Sequence, residues 1–368
     1  MFNFKSISNY KLFLKTNKLY KKIVFYSEGE NYDHFYLPYI NICIKEKIPF
    51  SYISSDKKIP FKENNNAKFF YIGKSFVRTL FFLSLECDNL ITTTPDINNF
   101  YLKKSTKCKN YIYFFHSMCS INVIYNYNAF SHYDTILSAN KFHSEELKKY
   151  YFSNENKKII NIGYPKIDEL ESKQKKEYSY SVIKSILIAP TWGNEKGTYN
   201  DYKNITNLLL KNNYKVTFRP HPVTSIKFKN YLSILEKNFS LFENFKISYE
   251  KNNLSDYISN DLIISDWSGS AIEFAIAFKK PCIFLNSKQK IRNKKSTNNQ
   301  REDSFENFFR KSIGKIVEAK NISKLLKYIE DKDSLKDYST KIDFFRKKYL
   351  YNFKNTNKAI KDFIKSLT

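Results

Sequence analysis

Short runs of β-branched and aromatic residues alternate along the whole chain with stretches of helical periodicity. IVFYS (23–27) and FSYIS (50–54) flank a segment, 31–46, that places Phe35, Leu37, Ile40, Ile42 and Cys43 at helical spacing. FFYIG (69–73), LITTT (90–94), YIYFF (111–115), TILSA (135–139) and IINIG (159–163) follow, with helices expected at 75–85 and 140–150. Strands separated by helices pair in parallel, because a parallel partner needs a crossover. The polar, aperiodic stretch 171–183 reads as a linker. A second alternation then begins: SILIA (185–189), YKVTFR (214–219), FKISY (245–249), DLIIS (261–265), CIFL (282–285) and IGKIV (313–317). Helices are expected between these strands at 200–213, 223–237, 252–259 and 268–278, and after them at 320–330 and 335–366. The expected organisation is α/β, with mostly parallel sheets in two halves: 1–175, opening with a basic leader helix (1–22), and 176–335, followed by C-terminal helices (336–368). A cleft between the halves is implied, and ligands of such sheets sit at the carboxyl ends of the strands.

A chain of 368 residues suits two domains. Its 33 Phe and 29 Tyr supply enough apolar surface to exclude a disordered chain. The net charge of +26 points to anionic partners. Part of it reflects a Lys-, Asn-, Ile-, Tyr- and Phe-rich composition of the kind AT-rich genomes encode. Lys and Arg are spread along the chain and no RNA-binding motif appears, so no nucleic-acid partner is expected. The five cysteines have no CxxC spacing, which argues against zinc or a disulfide framework and fits a reducing cytoplasm. No apolar run is long enough to span a bilayer, and the N-terminus lacks the pattern of a secretory signal. Residues 9–22 mix Tyr, Leu and Phe with five lysines. They form either a basic amphipathic helix lying on an anionic membrane or a solvated leader.

Four segments carry groups that can do chemistry. His116 leaves the strand YIYFF at its carboxyl end, followed by Ser117, which suits a general base. In F-R-P-H-P (218–222) two prolines fix extended backbone around Arg219 and His221, a phosphate fork and a hydrogen-bond donor. In S-D-W-S-G-S-A-I-E-F (265–274) a strand runs through a Ser/Gly turn into a helix. Its N–H groups and the Ser268 and Ser270 hydroxyls suit an anion, with Glu273 a turn further on. A capping box Ser270-x-x-Glu273 with no ligand explains the same letters. Thr191 and Trp192 in A-P-T-W-G end the second half's first strand, and Trp192 stacks on a ligand or lies in the core. Convergence of three such loops describes a site for a diphosphate-bearing nucleotide. No carboxylates show metal-ligand spacing, so neither a metal nor a cofactor is expected. The basic loop 287–301 holds an anion or is solvated.

Taken together, H-S (116–117), G-Y-P-K-I-D (163–168), A-P-T-W (189–192), R-P-H-P (219–222) and S-D-W-S-G-S-A-I-E-F (265–274) resemble the CDP-glycerol glycerophosphotransferase family of teichoic-acid primases and polymerases. The resemblance implies a GT-B-like fold of two Rossmann-like domains. It also implies transfer of a polyol phosphate from a CDP-activated donor to a hydroxyl of a glycan or lipid-linked acceptor, with release of CMP, on the inner face of the membrane. Carried over by motif, His116 is the base, with Ser117 in the acceptor loop, and Arg219 and His221 meet the diphosphate. Ser265, Asp266, Ser268, Gly269 and Ser270 form the donor phosphate loop, and Glu273, Thr191 and Trp192 lie by the nucleoside. The family's histidine is followed by Gly-Thr-Pro where this chain has Ser-Met-Cys, which leaves the acceptor open. The alternative is a glycosyltransferase of the same architecture using a nucleotide-sugar in surface-polysaccharide synthesis.

Overall fold

The computed structural model describes the chain outside residues 1–3, 63, 101, 153–156, 175–177, 179–181, 193–195 and 251, and outside the side chains of 196–197, 332, 334 and 336. Gly193 and much of the expected linker lie outside the described residues. Two compact units emerge, each around one sheet.

The first unit comprises Met1–Lys166, Asn293–Lys295 and Tyr349–Thr368. Its strands are β1 (Ile23–Ser27), β2 (Phe50–Ser54), β3 (Ala67–Tyr71), β4 (Cys87–Thr92), β5 (Cys108–Phe114), β6 (Thr135–Ser138) and β7 (Lys158–Asn161). All pair in parallel, in the order β3-β2-β1-β4-β5-β6-β7. β1, β2 and the C-terminal part of β5 are buried on both faces, which is why they read as continuous apolar runs rather than alternating ones. The chain leaves β1 on one side for β2 and β3 and returns on the other at β4. The topological switch point therefore lies between β1 and β4.

The second unit comprises Ile167–Arg292 and Ser296–Lys348. Its strands are β8 (Ser185–Ile188), β9 (Lys215–Phe218), β10 (Phe245–Ile247), β11 (Leu262–Ser265), β12 (Cys282–Asn286) and β13 (Lys315–Glu318). They form a parallel sheet in the order β10-β9-β8-β11-β12-β13. Its switch point lies between β8 and β11. Ile186, Ile188, Val216, Phe218, Leu262 and Ile264 build its core with Leu209, Leu232 and Leu235 from the covering helices.

The units are interleaved along the chain, whereas the sequence suggested consecutive blocks with the boundary at 175. The expected helix 335–366 is two helices, Lys332–Tyr349 and Thr356–Lys365, divided by Asn352 and Lys354 in the left-handed region. The second returns to the first unit. There Ile360, Phe363 and Ile364 join the core of β1, β2 and the helix Glu30–Lys45. Each apolar side chain buried this way contributes roughly 1.5–3 kcal/mol. The approach is close: a Cβ on Gly163 (φ +94°) would stand 2.4 Å from the Tyr351 carbonyl oxygen.

Other boundaries also differ. The leader helix runs from Phe4 to Leu14, and Asn17 then accepts the Leu19 N–H to open a 3₁₀ turn, Lys18–Lys21. The expected helix at 223–237 divides at Phe228 into Pro222–Lys227 and Lys229–Phe239. The segment 287–301, expected as loop, leads into a capped helix, Asn298–Glu302, and a second capped helix, Phe305–Ser312, follows. Phe305 and Phe309 bury their rings one helical turn apart. Among the described residues, no helix is long and apolar enough to cross a membrane.

Candidate active site

The switch point of the second unit joins the exits of β8 and β11. Asp266, fully buried, accepts the Thr191 N–H at 2.9 Å, and the Ser265 hydroxyl donates to the Ala189 carbonyl at 2.6 Å. Both side chains thus tie the two exits together and point into the protein. The turn behind them, Ser268–Ser270, is half-buried. Ser268 is the N-cap of the helix Gly269–Phe278, its hydroxyl accepting the Ser270 N–H at 3.3 Å, so the cap sits two residues before the alternative the sequence offered. That helix has no acidic residue in its first turn. Glu273 lies a turn deeper, buried beside Tyr257.

His221 stands at the exit of β9 as the N-cap of the helix Pro222–Lys227. Its Nδ1 accepts the Val223 N–H at 3.1 Å. Burial first, then the charges of Lys290 and Arg292, push its pKa down to about 4. The ring is therefore neutral near pH 7 with its proton on Nε2, which makes it a donor of one hydrogen bond. Trp192, half-buried, lies 5.9 Å from this ring.

Arg219 is turned elsewhere. Its Nη1 donates to Asp256 Oδ2 at 2.6 Å, and its Nη2 donates to the Glu250 carbonyl at 2.7 Å. Ser248 donates to the same Asp256 oxygen at 2.6 Å. The fork expected to hold phosphate instead fastens the segment after β10 to the helix Leu254–Ser259. The cations beside His221 come from the exit of β12. Lys290 Nζ lies 3.3 Å from the centre of the Trp192 ring and donates to the Trp192 carbonyl at 2.7 Å, and the Arg292 guanidinium lies 4.9 Å from that ring. The start of this loop is pinned by Trp267, whose indole N–H donates to the Ser287 carbonyl at 2.9 Å. Arg310, fully buried, stacks at 3.7 Å on Trp267 and donates to the carbonyls of Asp266 and Leu285.

In the first unit, His116 follows β5 and is half-buried. Its ring meets Tyr32 edge-on at 5.3 Å and Phe35 at 5.7 Å, and its carbonyl accepts the Tyr164 hydroxyl at 3.0 Å. Nδ1 is 2.7 Å from the hydroxyl of Thr93, at the exit of β4. Thr93 also lies within hydrogen-bonding reach of Tyr113, and Tyr113 donates to Tyr125 at 3.3 Å. Where Nδ1–H donates to Thr93, Nε2 carries the imidazole's lone pair. Ser117, next in the loop, hydrogen-bonds the Tyr125 hydroxyl. The loop is anchored further on by the buried His143, which bonds the Cys119 carbonyl at 2.9 Å, and by Glu146, which accepts the N–H groups of Ile121 and Asn122. Across the switch point from Thr93, at the exit of β1, stands Glu28. Burial raises its pKa, against the opposing charges of Arg78 and Lys74. Gly29 follows it at φ +131°, where a Cβ would stand 1.9 Å from Asp56 Oδ2.

The structure therefore brings Thr191, Trp192, His221 and the 265–270 turn together in the second unit, and His116 with Ser117 in the first. Sequence reasoning missed Thr93, Glu28, Trp267, Arg310 and Asp256. Only strand order reveals which exits are neighbours, although Thr93 does end a recognisable strand. Among the described residues, no three His, Cys, Asp or Glu side chains gather as a metal site.

Comparison with known proteins bears on this arrangement. The family model "CDP-Glycerol:Poly(glycerophosphate) glycerophosphotransferase" matches residues 121–364. The chain is similar to the minor teichoic acid biosynthesis protein GgaB of Bacillus subtilis, with 25% identity over 240 residues, 57% of this chain. It spans only 24% of that protein's length. Among solved structures it resembles the wall teichoic acid polymerase TagF soaked with CDPG, at TM-score 0.61 and 18% identity, covering 99% of this chain and 92% of that one. It also resembles the UDP-GlcNAc 2-epimerase of Methanocaldococcus jannaschii, at TM-score 0.59 and 16% identity, covering 94% and 98%. These structural likenesses establish the fold, α/β with two parallel sheets of the GT-B kind.

Proposed function

Because the chain belongs to the CDP-glycerol:poly(glycerophosphate) glycerophosphotransferase family, we propose that it transfers a glycerol phosphate, or a similar polyol phosphate, from a CDP-linked donor to a hydroxyl of a cell-surface glycan or lipid-linked acceptor. The observation that carries this reading is the grouping of side chains and backbone N–H groups at the β8/β11 switch point. There a neutral His221 donor and a helix N-terminus stand at strand exits, inside the stretch the family model matches. The Ser268–Ser270 turn and His221 Nε2–H hold the donor's phosphates, Trp192 and Thr191 lie beside them, and Glu273 lies nearest the ribose. His116 Nε2 takes the acceptor proton as the acceptor oxygen attacks the distal phosphorus. The bond from that phosphorus to the bridging oxygen breaks, and CMP leaves with the electron pair. Preorganised donors at the leaving phosphate stabilise its growing charge, the term that dominates such transfers.

The acceptor's place is at a membrane. Phe76, Leu80 and Leu83 form an exposed stripe on the helix Phe76–Ser84, which packs through Ser84 and Phe81 against Tyr10 and Phe13 of the leader helix. That helix exposes Phe4 and Leu12 among Lys5 and Lys11, with Lys15 just after it, a combination suited to the cytoplasmic face of an anionic bilayer. The deciding experiment incubates the purified protein with CDP-glycerol or CDP-ribitol and a lipid-linked acceptor, following CMP release and the bond formed. CMP with a phosphodiester product supports the reading. A glycosidic product from a nucleotide-sugar, with no CMP from either CDP-polyol, overturns it.

A further inference from the structure

We propose that Lys290 and Arg292 are the cations that bind the donor's diphosphate. This inference rests on the donor reading above and extends it to residues that no motif marks.

A nucleoside diphosphate ester carries about two negative charges into its site, which side-chain cations and N–H groups can meet. Arg219, the cation nearest to hand in the sequence, is matched by the buried carboxylate of Asp256. Arg310 is buried and spends its N–H groups on the Asp266 and Leu285 carbonyls behind the turn. Lys290 and Arg292 occupy a different position. Both lie against the Trp192 ring, and both are close enough to His221 to depress its pKa. They are thus gathered where β8 and β9 end, both delivered across β11 from the exit of β12.

The segment holding them is built. Ser287 is fixed by the Trp267 indole, itself backed by Arg310, and Lys290 is fixed by the Trp192 carbonyl. Anchors at 287 and 290 restrict the segment that carries the two cations. The indole face meets the Lys290 ammonium and the Arg292 guanidinium; Lys290 is half-buried and Arg292 exposed, so the Lys290 charge in particular counts for more than on an open surface. When CMP departs, these cations face the phosphate that gains charge, so they lower the barrier as well as the donor's dissociation constant.

The test is titration calorimetry of the full chain with CDP and with cytidine, for the wild type, Lys290→Met, Arg292→Gln and the double variant. Met keeps an apolar stem on Trp192. The expected result is at least tenfold weaker CDP binding for each single variant, a further loss for the double, and cytidine binding within twofold of wild type. Lys290→Arg should recover most of the CDP affinity. Should a variant fold poorly, the wild type still decides: its CDP affinity should fall with added salt far more steeply than its cytidine affinity. CDP affinity unchanged in the variants, CDP and cytidine losses of equal size, or equal salt dependence of the two ligands would each overturn the proposal. A wild type that binds neither CDP nor cytidine while binding another nucleotide instead overturns the donor reading on which it stands.

Discussion

Replacing Arg219 by Met should unfold the second unit earlier without first abolishing nucleotide binding. The pair it breaks is short, 2.6 Å, and its carboxylate is almost wholly buried, with side-chain exposures of 15% for Arg219 and 1% for Asp256. Removing one member of such a pair leaves the other charge uncompensated, at a cost of about 3–5 kcal/mol. Asp256 would keep the Ser248 hydroxyl at 2.6 Å and the exposed Lys246 ammonium at 3.9 Å, which points to the lower end, about 3 kcal/mol. For a unit of this size each kcal/mol moves the melting temperature by roughly 2–4 °C, so a fall of about 6–12 °C is expected. Arg219→Met/Asp256→Asn removes both charges and should recover at least half of the loss. Scanning calorimetry of the three proteins, with CDP affinity measured well below the transition, provides the check. An Arg219→Met protein that melts like wild type but no longer binds CDP would refute the reasoning, since the guanidinium would then be facing phosphate.

Thr93→Val should lower kcat roughly ten- to a hundredfold, a share of what a general base supplies, and alter the pH–rate profile while leaving KM for the donor alone. Thr93→Ser should restore both, and a Val variant with a wild-type profile would remove Thr93 from the His116 relay. His221→Ala should cost about a hundredfold or more in kcat, the loss seen when one donor to a developing anion is removed, whereas His221→Gln, which keeps an N–H, should cost less. Because the ring is already neutral above about pH 4, the free wild-type enzyme should show no His221 titration between pH 5 and 8 in kcat/KM. Burial raises the folded-state pKa of Glu28, so the folded chain holds that proton more tightly than the unfolded one. Its ionisation then costs stability as pH rises above the ordinary glutamate value of about 4.3. Glu28→Gln should therefore melt higher than wild type at pH 7 and equally at pH 3.5. A lower melting point at pH 7 would mean that the Arg78 and Lys74 charges outweigh burial.

Most strands were legible because doubly covered parallel strands are apolar without alternation: IVFYS, FSYIS and DLIIS differ from β1, β2 and β11 by at most a residue. The loops that carry His116, His221 and Ser268 were legible for the same reason, since a buried run that stops at a polar residue marks a strand exit. What the residues withheld was partnership. Arg219 looks like a phosphate fork until Asp256, distant along the chain, is brought to it by the Leu254–Ser259 helix. The lysines of 287–301 look solvated until β12, placed beside β11, delivers Lys290 to Trp192. The interleaved units were hidden because the spacing of Ile360, Phe363 and Ile364 announces an apolar face but not which sheet will cover it.

The return of the Thr356–Lys365 helix to the first sheet sets a timetable for biosynthesis. A ribosome completes β1–β7 long before that helix exists: roughly 190 residues separate Lys166 from Thr356, about 10–40 s of elongation at ~5–20 residues per second. During that interval the nascent sheet lacks the three side chains that close its core over the Glu30–Lys45 helix, and the second unit is synthesised while the first is still unsealed. The usual order, in which an N-terminal domain is finished before its neighbour begins, is closed to this chain. The early sheet must instead wait, open on one side, for the last helix to arrive.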